Sequence, residues 1–88
     1  MALQLISRYD TDDFGAWHGV FRSERETMGH AGLSVLQIWR EPDRPATAWV
    51  LWRVNDRSAA AAFLAGEARA GAERAGVRDA VHHFVQTV

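Results

Sequence analysis

Between Leu33 and Val54 the chain reads LSVLQIWREPDRPATAWVLWRV. Two stretches rich in β-branched and aromatic residues flank the turn-forming run Pro42-Asp43-Arg44-Pro45. The segment therefore predicts a β-hairpin, with strands from Leu33 to Glu41 and from Ala46 to Val54. A symmetric turn would set Leu33 opposite Val54 and Gln37 opposite Val50. One face then carries Leu33, Val35, Gln37, Trp39, Ala48, Val50, Trp52 and Val54. The other carries Ser34, Leu36, Ile38, Arg40, Thr47, Trp49, Leu51 and Arg53. An antiparallel sheet with one wet side is polar on that side. This hairpin is apolar on both.

Upstream, Leu3 to Tyr9 alternates Leu3, Leu5 and Ser7 against Gln4, Ile6 and Arg8, as a strand does. Asp10-Thr11-Asp12-Asp13 supplies a cap and acidic groups suited to a helix start. A helix is expected from about Asp12 to Met28, its apolar stripe formed by Phe14, Trp17, Phe21 and Met28. Gly29 and Gly32 flank its stop. Downstream, Asn55-Asp56 caps a second helix containing Ala59 to Ala62, Phe63 and Leu64. Gly66 and Gly71 are its candidate breaks and Gly76 its end, before a last strand from Asp79 to Val88. No linker or repeat interrupts residues 1–88, so one domain is expected. The order β-α-β-β-α-β is α+β, a four-stranded antiparallel sheet with two helices on one face.

Two helices cover one face of such a sheet. Leu36, Ile38, Trp49 and Leu51 on the other need a separate cover. Burying each side chain fully contributes roughly 1.5–3 kcal/mol, a large sum for a small domain. Left wet, they form an aggregation-prone patch. A second copy packed sheet to sheet is the simplest cover, and twofold dimers are the commonest oligomers. A homodimer through the sheet face is expected.

Composition narrows the chemistry. There is no cysteine, which removes disulfides, thiolate nucleophiles and cysteine-held metal centres. All ten basic residues are arginine, so no lysine can form a Schiff base. A net charge of −1 without a basic cluster argues against nucleic acid. The N-terminal residues Met1 to Arg8 lack the basic start and apolar core of a signal peptide. No apolar run nears the ~20 residues needed to span a bilayer. No membrane association and a cytoplasmic location are expected.

Several of these positions together resemble a known superfamily. They are Tyr9-Asp10 followed by Phe14, Trp17 and Phe21, then Ala31-Gly32 leading into a strand that ends Trp39-Arg40. The resemblance continues through Pro42-Asp43-Arg44-Pro45, the step Val54-Asn55-Asp56 into an Ala/Phe helix, and Ala75-Gly76-Val77. The chain is similar to the dimeric α+β barrel proteins, ferredoxin-like domains that include the antibiotic biosynthesis monooxygenase type. That resemblance implies a ferredoxin-like fold and a dimeric α+β barrel. It also implies one of the superfamily's roles, which include cofactor-free oxygenation of aromatic polyketides, polyketide cyclisation, isomerisation, dehydration and haem handling. These positions define a fold rather than a reaction.

Within the first helix, His18 and Arg25 fall at the edge of the apolar stripe, seven residues apart. Beside a cavity, His18 would be a general base and Arg25 would hold an enolate oxygen; as boundary residues, both would simply reach solvent. His82 and His83, adjacent on a strand, must face opposite ways and cannot chelate one metal from ideal geometry. His30 follows the first helix, and no histidine spacing matches a metal motif, so neither metal nor cofactor is expected. Trp39 and Trp52 share a predicted face, Trp49 lies on the other and Trp17 on the helix. Core packing accounts for such residues; alternatively Trp17, Phe21, Trp39, Trp52 and His83 line a pocket for a planar substrate. Arg40 and Arg53 suggest structural ion pairs. Ser7, Ser34 and Tyr9 have no nucleophile-elbow context. The functional expectation is a cofactor-independent enzyme of the monooxygenase or cyclase type, acting on a small hydrophobic, aromatic or polyketide-like molecule. The alternatives are a non-catalytic ligand-binding or accessory dimer module and, third, a haem-binding protein.

Overall fold

The computed structural model describes residues 2–88. Strand β1 spans Leu3–Thr11, followed by helices α1, Phe14–Ser23, and α2, Arg25–His30. The hairpin strands are β2, Leu33–Arg40, and β3, Thr47–Val54. Helices α3, Arg57–Ala65, and α4, Glu67–Arg74, lead into β4, Val77–Gln86. All pairings are antiparallel and the sheet order is β2-β3-β1-β4, the ferredoxin-like arrangement.

Local chemistry accounts for the helix boundaries. Asp13 accepts from the Ala16 N–H at 3.1 Å and caps α1; Asp56 accepts from the Ala59 N–H at 3.0 Å and caps α3. Each expected helix is two. The Ser23 hydroxyl donates back to the Val20 carbonyl at 2.6 Å, and the Glu24 N–H bonds the Phe21 carbonyl at 3.2 Å. That tightened turn ends α1 and lets α2 start afresh. Gly66 makes the second break, while Gly71 stays helical inside α4.

The hairpin departs from the symmetric register. Leu33 pairs with Val54 and Val35 with Trp52, but Gln37 pairs with Leu51, Ile38 with Val50 and Trp39 with Trp49. The turn sets the upper register, since the Glu41 N–H bonds the Thr47 carbonyl at 3.1 Å. A bulge at Leu36 absorbs the extra residue, and a shift by one exchanges faces. Ile38 and Arg40 therefore join the helix side, and Gln37 and Trp39 turn to the open side. The expectation that Trp39 shares a face with Trp52, and Ile38 one with Leu51, is corrected accordingly. The bulge lets Leu33, Val35 and Ile38 all pack towards the helices.

The core lies between the sheet and the helices. Leu5, Val50 and Trp52 are fully enclosed beneath Trp17, Phe21, Met28, Ala60 and Phe63. The open face carries Ile6, Trp49, Leu51 and Val81, half-buried, with Leu36, Trp39 and Val85 exposed. Arg40 places its guanidinium 5.1 Å from the Phe14 ring centre rather than in an ion pair. No helix among the described residues is long and apolar enough to cross a membrane.

Gly32 ties the two halves together. Its φ is +75°, its carbonyl accepts from the Asn55 N–H at 2.8 Å, and a Cβ there would meet the Asp56 backbone nitrogen at 2.9 Å. A left-handed non-glycine residue costs roughly 1–2 kcal/mol, and forced packing adds about 1–3 kcal/mol. Gly32→Ala should therefore lower the urea midpoint sharply at unchanged slope.

Candidate functional site

The inward residues of β1 are Leu5, Ser7, Tyr9 and Thr11, alternating as a half-covered strand requires. Ser7 is fully buried, and the register sets it directly opposite His82 on β4. Trp52 reaches it from β3. The Trp52 indole N–H donates to the Ser7 Oγ at 3.0 Å, and the Ser7 Oγ is hydrogen-bonded to His82 Nδ1 at 2.7 Å. An indole only donates, whereas a serine oxygen carries one hydrogen and two lone pairs. Ser7 therefore accepts from Trp52 and can bond Nδ1 in either direction. Its hydrogen goes to Nδ1 in the tautomer that carries the ring proton on Nε2, a nitrogen with no partner among the described residues.

Burial pushes the His82 pKa below its ordinary 6.5, and the neighbouring His83 adds to the effect. The unfolded chain takes up a proton here near pH 6.5, whereas the folded chain does so only at lower pH. Unfolding therefore binds a proton in that window. Stability is full above pH 6.5, falls as pH drops through it, and levels off below the folded-state value. One proton limits the slope to about 1.4 kcal/mol per pH unit. Urea midpoints between pH 5 and 8 should show the decline, and His82→Gln should flatten it. An unchanged slope in that variant refutes the assignment.

Tyr9 lies beside this chain, its ring centre 5.6 Å from His82 and 5.3 Å from Trp17. Burial raises its phenol far above the usual range, with Ser7 partly offsetting and Glu24 adding to the rise. Tyr9 thus stays protonated. It also separates two spaces. A cavity of about 30 Å³, room for a water-sized group, is walled by Tyr9, Trp17, Phe21, Trp52, Glu24 and Gly71. An open groove of about 410 Å³ runs between α4 and β4, with Tyr9 and His82 on its floor and Arg69, Glu73 and Arg78 on its rim. Both spaces touch Ala68 and Ala72. The groove exists because the sheet-facing residues of α4 are too small to fill it.

Trp17, Phe21 and Trp52 stand in the cavity wall. His18 is half-buried, its ring 5.5 Å from Phe14 and 6.1 Å from Trp17, and lines neither space. Arg25 is exposed at the start of α2, beyond the break, so the two residues do not converge. Trp39 is on the open face, 45 % exposed. His83 is exposed there too, opposite Ile6. Sequence reasoning named His82 and Ser7 without assigning them to the site, and did not reach Glu24. His82 could have been found from strand parity, because it shares its side with Phe84 while His83 shares that of Val81 and Val85. Among the described residues no three His, Asp or Glu side chains converge as metal ligands.

The chain matches no family model and no curated protein. Solved structures share its fold. A variant of SnoaB, a cofactor-independent oxygenase from Streptomyces nogalater, superposes with a TM-score of 0.72 at 18 % identity, over 97 % of this chain and 91 % of that one. An antibiotic biosynthesis monooxygenase-like protein from Bordetella bronchiseptica gives 0.79 at 10 % identity, over 100 % and 99 %. An uncharacterized NIPSNAP domain protein from Burkholderia xenovorans gives 0.66 at 12 % identity, over 98 % and 94 %. The chain therefore has the ferredoxin-like fold of antibiotic biosynthesis monooxygenase-like proteins.

Proposed function

We propose, proceeding from that shared fold, that the chain is a homodimeric, cofactor-independent small-molecule enzyme that binds a hydrophobic aromatic compound in the groove beneath α4. The observation that carries this reading is the hydrogen-bonded chain from Trp52 through Ser7 to His82, which leaves Nε2 without a protein partner on the floor of the groove beside Tyr9. In the tautomer protonated on Nε2, His82 is held by Ser7 as a donor that stabilises negative charge developing on a substrate oxygen. An aromatic ketone held there would give up an α-proton to water in the open groove more readily, leaving its enolate bound at His82. Such an electron-rich carbanion can react with oxygen or close a ring without a resident cofactor. The oxyanion role thus moves from Arg25 to His82. The homodimer forms through the open face, where Ile6 and Leu51 lie side by side.

The test combines binding and turnover. Aromatic ketones added to the protein should quench tryptophan fluorescence, because Trp17 packs 5.3 Å behind Tyr9, which lies on the groove floor. Oxygen uptake or product formed without added metal or flavin would establish catalysis. His82→Ala should weaken binding of the ketone by roughly 2- to 10-fold, the loss expected for a hydrogen bond between neutral groups, and should lower turnover further because charge develops there. Quenching without turnover would leave the binding module. Full turnover in His82→Ala would sink the assignment.

A further inference from the structure

Glu24 brings a carboxylate to the wall of the aromatic cavity. It stands in the break between α1 and α2 but makes no side-chain cap bond to the α2 amides. Its side chain is only 25 % exposed. The carboxylate instead lies over α4 at Gly71, where a Cβ would come within 2.9 Å of Oε1 and 3.0 Å of Oε2. Alanine would make a better helix at that position; glycine leaves the space that the carboxylate occupies. Its charged partner is Arg74, at 3.6 Å, beyond hydrogen-bond range. The carboxylate oxygens keep contact with solvent, and beside the apolar cavity wall they have acceptor capacity left for a donor group on a ligand.

We infer that Glu24 is a specificity-determining acceptor, receiving the hydrogen bond of a hydroxyl or amino group on an aromatic ligand. This rests on the groove reading above. The ring lies in the groove, and the donor group passes Tyr9 and Ala72 into the small cavity, whose volume suits a group of that size. Glu24 and His82 then read opposite polarities at two points of one molecule. Arg74 holds the carboxylate in place from outside, and Gly71 provides its bed.

The experiment uses 1-naphthol, 1-aminonaphthalene and 1-methoxynaphthalene as probes of the full chain, read by tryptophan quenching. The unmodified protein should bind one or both donor-bearing probes at least about tenfold more tightly than the methoxy compound, and the stronger of the two identifies the donor. Glu24→Ala should abolish that preference while leaving methoxynaphthalene affinity unchanged. Arg74→Gln removes the ion pair but keeps the carboxylate, so the preference should persist. Gly71→Ala should raise the melting temperature yet narrow the preference, because the new methyl displaces the carboxylate. Equal affinity for all three probes overturns this inference alone, as does Arg74→Gln losing the preference like Glu24→Ala. Failure of every probe to bind overturns the groove reading and this inference with it.

Discussion

Ile6→Arg should convert a dimer into a folded monomer. Ile6 lies on β1, one of the two central strands, opposite Leu51 on β3 and His83 on β4, on the face turned away from the helices. Around it, Leu36, Trp39 and Val85 are exposed at 42 %, 45 % and 40 % in the single chain. A sheet-to-sheet partner would remove these groups from water, and each fully buried side chain contributes roughly 1.5–3 kcal/mol. An arginine at the centre of that seam would be buried with its symmetry mate, and two unpaired guanidiniums in an apolar interface cost several kcal/mol. The variant chain itself loses little, since the core lies on the other face. Sedimentation at micromolar concentration should give the mass of two chains for the unmodified protein and of one for Ile6→Arg, with the same circular dichroism. An unmodified protein that sediments as one chain refutes the dimer.

The second large effect concerns the core and the polar chain together. Trp52→Ala should cost about 3–5 kcal/mol, a large share of the 5–15 kcal/mol typical of a whole domain. Trp52 is fully enclosed, with Phe21 at 5.3 Å between ring centres, so the surroundings cannot collapse into the space. Milder changes isolate the hydrogen bonds. Ser7→Ala orphans the buried Trp52 N–H and the His82 Nδ1, at about 1–3 kcal/mol for an unsatisfied buried group. Trp52→Phe removes the donor and leaves a smaller void. In the double variant no indole N–H remains to be orphaned, so its cost should fall below the sum of the single changes. Urea denaturation of the four proteins measures the difference. Strict additivity would mean that the bond between Trp52 and Ser7 contributes nothing.

The legible part of the site was its apolar part. Trp17 and Phe21 follow from helical spacing and Trp52 from strand alternation, and all three stand in the cavity wall. Two local features misplace the rest. The bulge at Leu36 exchanges the faces of Gln37, Ile38, Trp39 and Arg40, and it leaves no mark in composition because any residue can occupy a bulge. The break at Glu24 separates His18 from Arg25, although their spacing fits an unbroken helix; it depends on a serine hydroxyl choosing a backbone carbonyl. The polar chain was out of reach for a different reason. Ser7, Trp52 and His82 come from three strands, and only strand order and register make them neighbours.

The hairpin from Leu33 to Val54 shows where the division falls. Alternation, turn chemistry and caps are local, and they determined the strands, the helices, their order and the presence of large apolar groups on both sheet faces. Which groups lie on which face was decided by one inserted residue, because side chains in a strand alternate with a period of two. The groove was decided by Ala68 and Ala72 on α4, whose small size acquires meaning only opposite Tyr9 and His82. The hydrogen-bonded placement of His82 and the bed of Glu24 were decided by contacts between residues distant in the chain, and only the tertiary structure brings those residues together.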